Sequence, residues 1–124
     1  MMIEIFDRKG FDRLLSLEAT TLQGADLSGR ILNNANLVEL DLREADLSHS
    51  KLEGADLRLA DLSGADLRHT DLSDAELSGC RLDGVQAAGV VLKGVSLSAA
   101  QRQALKAGGA DLSQLPLAIE IRTV

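Results

Sequence analysis

The sequence predicts an all-β solenoid, a four-sided coil of five-residue sides stacked around a core of Leu and Ala. Two features carry this. Leu recurs every five residues from Leu22 through Leu27, Leu32 and Leu37 to Leu97, with Ala87 as the single interruption. Small residues stand two places earlier (Ala25, Ala35, Ala45, Ala55, Ala60, Ala65, Ala75), and Asp or Asn stands one place earlier. A third feature is the poverty of rings: 124 residues carry two Phe, no Trp and no Tyr. A compact core of that size is normally built on several aromatic side chains, so this one must be narrow and regular.

A period of five excludes any straight element. Leu at every fifth position of an α-helix would wander around the cylinder. In a straight strand, residues five apart point to opposite faces. Leu and the Ala two places before it do share one side of a short extended segment. A bend after each such segment therefore winds a coil with Leu and Ala inside. Ala25, Ala35, Ala45, Ala55, Ala65 and Ala75 fall ten apart, while Thr20, Arg30, Leu40, Ser50, Ala60, Thr70 and Cys80 intervene. That alternation fits an even number of sides, because three sides would mix both classes in every column. Four sides make twenty residues per coil.

The repeated Ala-Asp-Leu-Ser-Gly, exemplified by residues 25–29 and 60–64 with Ala-Asn-Leu at 35–37, resembles the motif A-(D/N)-L-x-x of the pentapeptide repeat family. The resemblance runs from about Thr20 to Ala99 and implies a right-handed, four-sided β-helix. Sixteen units then give four coils, roughly 19 Å tall at the usual strand spacing of about 4.8 Å. Arg30 and Leu40 at small inward positions call for local adjustment, and Ala87 leaves a Leu layer underfilled.

Both ends of an open coil expose strand edges that need covering. Residues 1–19 are read as an N-terminal β cap, with a turn at Lys9-Gly10 and Phe11, Leu14, Leu15 and Leu17 behind it. The coil occupies 20–98, and 99–124 form a C-terminal capping helix and tail. Ser98 is a suitable N-cap for a helix Ala99–Ala107 that stops at Gly108-Gly109. Its expected apolar face is Ala100, Gln103, Ala104 and Ala107 with Leu105. Ala110-Asp111-Leu112-Ser113 reads as one more unit with its Leu in register. Leu115, Leu117, Ile119 and Ile121 form a final strand or a homodimer contact, since a short apolar edge invites pairing.

Net charge of −6 and a pI near 4.8 argue against direct binding to nucleic acid or an anionic membrane surface. No stretch has the length of a membrane span. The opening MMIEIFDRKG lacks the basic and apolar regions of a signal peptide, and one Cys allows no intrachain disulfide. The expected location is the cytoplasm.

The chemistry-bearing residues dissolve into the repeat. Gly24 and Gly29 have phosphate-loop spacing, but Arg30-Ile31 replace the Lys and Ser/Thr that would hold phosphate and magnesium. His49 and His69 share a bend position twenty residues apart, so they should sit one above the other; two ligands alone do not make a metal site. Cys80 falls at a small inward position and reads as a buried small hydrophobe. The expectation is no catalytic residue, no cofactor and no metal.

The most regular surface feature is acidic. Asp26, Asp46 and Asp66 should form one column, Asp41 and Asp61 a second, and Asp56 and Glu76 a third, with Arg43, Arg58, Arg68 and Arg81 relieving part of the repulsion. Two roles follow. The first is a non-catalytic structural or protein-interaction module with an unidentified protein partner. The second is implied only by the resemblance: a DNA-mimicking inhibitor or protector of a type II topoisomerase such as gyrase.

Overall fold

The computed structural model describes residues 1–116. A hairpin of β1 (Met2–Phe6) and β2 (Arg13–Glu18) opens the chain; the coil follows, then α1 (Ala99–Ala107) and a 3-10 turn at Leu112–Gln114. β1 and β2 pair antiparallel from Met2 opposite Glu18 to Phe6 opposite Arg13.

In the coil, parallel bridges join residues twenty apart. Asp26 meets Asp46 and Asp46 meets Asp66; Asp41 meets Asp61, and Asp56 meets Glu76. Twenty residues per circuit in five-residue steps make four sides. Each Asp-position residue turns its N–H and C=O toward the rung before it: Asp46 N–H donates to Ala25 O, and Leu27 N–H donates to Asp46 O. Corners are closed by a bond from the next inward residue to the Leu carbonyl, as from Ala45 N–H to Leu42 O. The third turn residue takes a left-handed φ, which suits Gly at 24, 29, 54 and 64. Asn34, Glu39, Glu44, His49, Leu59, His69 and Asp74 adopt it too, against the preference of side chains that carry a Cβ.

The interior is filled. Leu42, Leu47, Leu52, Leu57, Leu62, Leu67 and Leu72 are wholly buried. The polar inward residues are satisfied, because Ser50 Oγ and Thr70 Oγ1 both donate to Leu47 O at 2.6 and 2.7 Å. Arg30, one of the two anticipated misfits, simply leaves the core: it lies exposed on the first coil, where the rim is open. Leu40, the other, is half-buried.

The C-terminal end departs from the sequence reading in three ways. First, of the expected face of α1 only Leu105 is buried and Ala104 half-buried; Ala100, Gln103 and Ala107 are exposed, and Gln101 is buried in their stead. The last coil offers open backbone groups as well as apolar surface, and Gln101 answers both. Its Nε2 donates to Leu77 O and Cys80 O at 2.7 and 2.9 Å, while its Oε1 accepts the Ser98 N–H in a capping box. Second, the layer at Ala87 is closed by backbone. Ala87 is fully buried and its N–H donates to Gly108 O at 2.8 Å. A Cβ on Gly108 would clash with Val85 O. α1 then ends with Ala110 N–H on Leu105 O and Gly109 N–H on Lys106 O, with Gly109 left-handed, the pattern of a Schellman motif.

Third, residues 110–113 are not a fifth-coil side. No backbone bridge joins them to the coil among the described residues; the Leu92 N–H donates to the side chain of Gln114, at Oε1, at 2.8 Å. Leu112 lies in the 3-10 turn and is only half-buried.

Candidate interaction surface

The three acidic columns exist as the register requires, but their carboxylates do not project as a bare stripe. Each of these Asp side chains accepts the backbone N–H two residues on: Asp26 from Ser28, Asp41 from Arg43, Asp46 from Ser48, Asp56 from Arg58, Asp61 from Ser63 and Asp66 from Arg68. This Asx bond shapes the surface of each side. It explains why the residue before Leu is so often Asp or Asn.

What stands two places on then decides the charge. Where it is Ser, the hydroxyl donates to the same oxygen at 2.6 Å, as at Ser28, Ser48 and Ser63. Where it is Arg, the guanidinium closes on the carboxylate: Arg43 on Asp41, Arg58 on Asp56 and Arg68 on Asp66, at 2.8, 2.7 and 2.6 Å. The Arg43 guanidinium holds the Asp41 carboxyl down at about 2. Hydrogen bonds from Arg58 and Arg68 likewise depress Asp56 and Asp66, and those from Ser28 and Ser63 depress Asp26 and Asp61.

The third column is neutralised twice. Arg8, from the hairpin loop, donates to Gly54 O at 3.1 Å and meets Glu76 at 2.7 Å, with Asp56 at 4.0 Å. Arg58 Nε also lies 3.4 Å from Glu76. Asp56 is consequently 4% exposed. Arg81, by contrast, meets only Asp83, at 3.7 Å. Of the seven column carboxylates, those left without an Arg ion pair are Asp26, Asp46 and Asp61. Arg8 had no assigned role in the sequence reading, because its reach across 68 residues to Glu76 has no local signature.

His49 and His69 do stack, with ring centroids 4.9 Å apart and planes 22° apart. Stacked rings aim their nitrogen lone pairs side by side, not at a shared point. No group of three or more His, Cys, Asp or Glu suited to a metal occurs among the described residues. Cys80 is buried, and burial pushes its thiol up to about 12. Of the candidate dimer contacts, Leu115 is 8% exposed within this chain's own core, while Leu117, Ile119 and Ile121 lie outside the described residues.

A feature the repeat pattern hid is apolar. Val38, Glu39, Arg58, Leu59, Ser78 and Gly79 line a surface groove of about 440 Å³. Leu59 occupies a corner with φ of 62° and is 60% exposed. Its side chain lies across Gly79, where an added Cβ would come within 2.6 Å of Leu59 Cδ2. The signal was present: Leu59 is a Leu out of phase with the five-residue series.

Comparison with known proteins gives a consistent family match. The family model described as "Pentapeptide repeats (8 copies)" matches residues 20–58 and again 60–98. Solved structures include alr5209, a pentapeptide repeat protein from Nostoc PCC 7120. It is 38% identical over 59% of this chain and 64% of its own, with a TM-score of 0.39. Rfr23 from the cyanobacterium Cyanothece 51142 is 38% identical over 62% of this chain and 52% of its own, with a TM-score of 0.29. The plasmid-mediated fluoroquinolone resistance protein QnrB1 is 23% identical over 67% of this chain and 39% of its own, with a TM-score of 0.27. The chain thus spans less than two thirds of each of these proteins. No curated protein matches it.

Proposed function

The chain belongs to the pentapeptide repeat family, whose members fold as right-handed quadrilateral β-helices, and from that premise we propose that it is a non-catalytic protein-interaction rod. The coil would share the family's right hand. Its constant interior supports a scaffold role: Leu layers fill the axis, so chemistry would have to be done on the outer surface.

The observation that carries the reading is Leu59. A branched residue in the left-handed region is strained by about 1–3 kcal/mol. Here it also leaves an apolar side chain in water, at a corner whose neighbouring rungs hold Glu39 and Gly79. An apolar residue kept on a wet surface at that cost fits a contact made with another protein. With Val38 beside it and Arg58 and Glu39 at the rim, the groove suits an apolar knob flanked by one acid and one base. The partner is a cytoplasmic protein, in keeping with a single, reduced Cys80.

The test is affinity capture from native cytoplasm with the wild-type chain and Leu59→Gly. Gly accepts the left-handed φ, so the variant removes the contact without unfolding the coil. A protein retained by the wild type and lost by the variant supports the groove. Equal capture by both, or capture by neither, removes the support that Leu59 gives.

The alternative is a DNA mimic acting on a type II topoisomerase. Asp26 above Asp46, both free of Arg, favours it; Arg8, Arg43, Arg58 and Arg68 weigh against it by neutralising the rest. Gyrase supercoiling in the presence of increasing protein decides. Inhibition that fades when Asp26, Asp46 and Asp61 become Asn would establish mimicry, and no effect at large excess would sink it.

A further inference from the structure

The two ends of the coil are finished differently. At the C-terminal end, Ala87 N–H reaches Gly108 O, Leu92 N–H reaches Gln114 Oε1, and Leu77 and Cys80 carbonyls receive Gln101. At the N-terminal end, the hairpin pairs with one side only: Asn36 N–H donates to Phe6 O at 2.8 Å, and Arg8 N–H donates to Asn34 O at 2.8 Å. The adjacent rim positions are Asp26 and Ile31. Throughout the coil, a residue at this position aims its N–H and C=O at the preceding rung, as Asp46 and Lys51 do. Asp26 and Ile31 have no preceding rung. Among the described residues neither has a backbone hydrogen-bond partner.

Ile31 is also chemically out of place. Its column continues as Lys51, Asp71 and Val91, and it is 66% exposed. Val91, the other apolar member, sits at the capped end of the same side and is 41% exposed. The hairpin loop bonded to Asn34, three residues from Ile31, adds Phe11 at 83% exposure. An unpaired apolar edge is a template for strand pairing.

We propose that this N-terminal end is a self-association face, on which a second copy of the chain docks head to head with Ile31 paired across a two-fold axis. A two-fold contact sets a residue against itself. Asp26 in that place would oppose two carboxylates. Ile31 opposes two apolar side chains, and each Ile31 N–H donates to the C=O of the partner's Ile31 as in a narrow antiparallel pair. Asp41, which likewise has no bridge to a preceding rung, would also oppose two carboxylates, so among the open positions Asp26, Ile31 and Asp41 only Ile31 is self-compatible. The result is a double-length rod with its capped ends outermost, independent of the groove at Leu59.

The experiment is the molar mass of the full chain in solution, measured over a range of concentrations by sedimentation equilibrium. Four proteins are compared: wild type, Ile31→Asp, Val91→Asp and the tail variant Ile119→Asp with Ile121→Asp. Asp already occupies the Ile31 position two circuits on, at Asp71, so Ile31→Asp restores the repeat and should fold. The expected result is a wild-type dimer of the 13.2 kDa chain. Ile31→Asp weakens association at least about a hundredfold, the effect of losing a central contact, while Val91→Asp and the tail variant still dimerise. A wild-type monomer at the highest concentration, a dimer undiminished in Ile31→Asp, or loss confined to the tail variant would each overturn the proposal. As a check independent of stability, Ile31→Cys should oxidise to a covalent dimer, since paired Cα atoms about 5.5 Å apart accept a disulfide. Absence of that cross-link in a folded Ile31→Cys protein also overturns it.

Discussion

The side-chain amide of Gln114 replaces a backbone rung above Leu92. Oε1 accepts the Leu92 N–H at 2.8 Å, and Nε2 reaches the Val90 carbonyl at 3.4 Å and the Asp111 carbonyl at 2.7 Å. One amide group thus offers the donor and acceptor that another strand would present. Gln101 does similar work for Leu77 and Cys80. Two Gln side chains and one Gly carbonyl thus take over part of the last edge of the coil.

Gln101→Leu, which fits the apolar surroundings but has no amide, is expected to destabilise the chain by about 2–3 kcal/mol. It leaves the Cys80 carbonyl without its donor, while the Leu77 carbonyl keeps the Cys80 N–H; a buried group so stranded costs about 1–3 kcal/mol. Gln114→Ala, at a more exposed site, should cost about 1 kcal/mol. Urea unfolding followed by circular dichroism measures both, and equal midpoints for Gln101→Leu and wild type would refute the capping role.

Leu59→Gly should stabilise the isolated protein, by about 0.5–1 kcal/mol, because relief of left-handed strain outweighs the added freedom of the unfolded chain. Gly79→Ala should do the reverse, since its Cβ would meet Leu59 Cδ2 and the residue sits at φ of 71°. Thermal melts of the two variants should shift in opposite directions; a parallel shift contradicts the strain at this corner.

Acid should unfold the coil from its surface inward. Folding lowers the carboxyls of Asp26, Asp41, Asp56, Asp61 and Asp66, chiefly through hydrogen bonds from Ser28, Arg43, Arg58, Ser63 and Arg68. A depressed folded value means that the stabilisation is complete above the ordinary carboxylate range near 3.9 and is lost as pH falls through the folded values, which for Asp41 is about 2. The melting temperature should therefore be level from pH 5 to 7 and fall between about pH 4 and 2. A melting temperature unchanged down to pH 2 would show that these bonds contribute nothing to folding.

Cys80 should be silent toward thiol reagents in the native state. Its side chain is buried and its thiol is pushed up to about 12, so almost no thiolate exists at pH 8. A disulfide reagent should label it only at the rate of unfolding, and fast labelling of the native protein would place Cys80 outside the core.

Much of this was legible because the repeat is a local code. Leu every fifth residue, a small residue before it and a turn after it set each side, the ten-residue alternation pointed to an even number of sides, and the bridges twenty residues apart make it four. The twenty-residue ladder from Asp26 to Asp46 to Asp66 and the stack of His49 on His69 follow from that arithmetic. The Asp-x-Arg pairs were half-legible: Arg43, Arg58 and Arg68 close on column carboxylates, whereas Arg81 forms its ion pair with Asp83 and relieves Asp61, the rung before it, only through its charge.

Tertiary structure alone decided the ends. Whether a helix lands on Ala100 or on Gln101 depends on which carbonyls the last coil leaves open, and no period in α1 encodes that. A helix advances about 1.5 Å per residue and a coil side about 3.3 Å, so the five-residue count does not carry across α1, and the Leu92 N–H is met by the Gln114 side chain. Arg8 on Glu76 and the bare rim at Ile31 exist only once the chain has closed on itself. Periodicity is a property of neighbours in sequence and determined the walls; the caps, the clamp and the open edge are properties of neighbours in space.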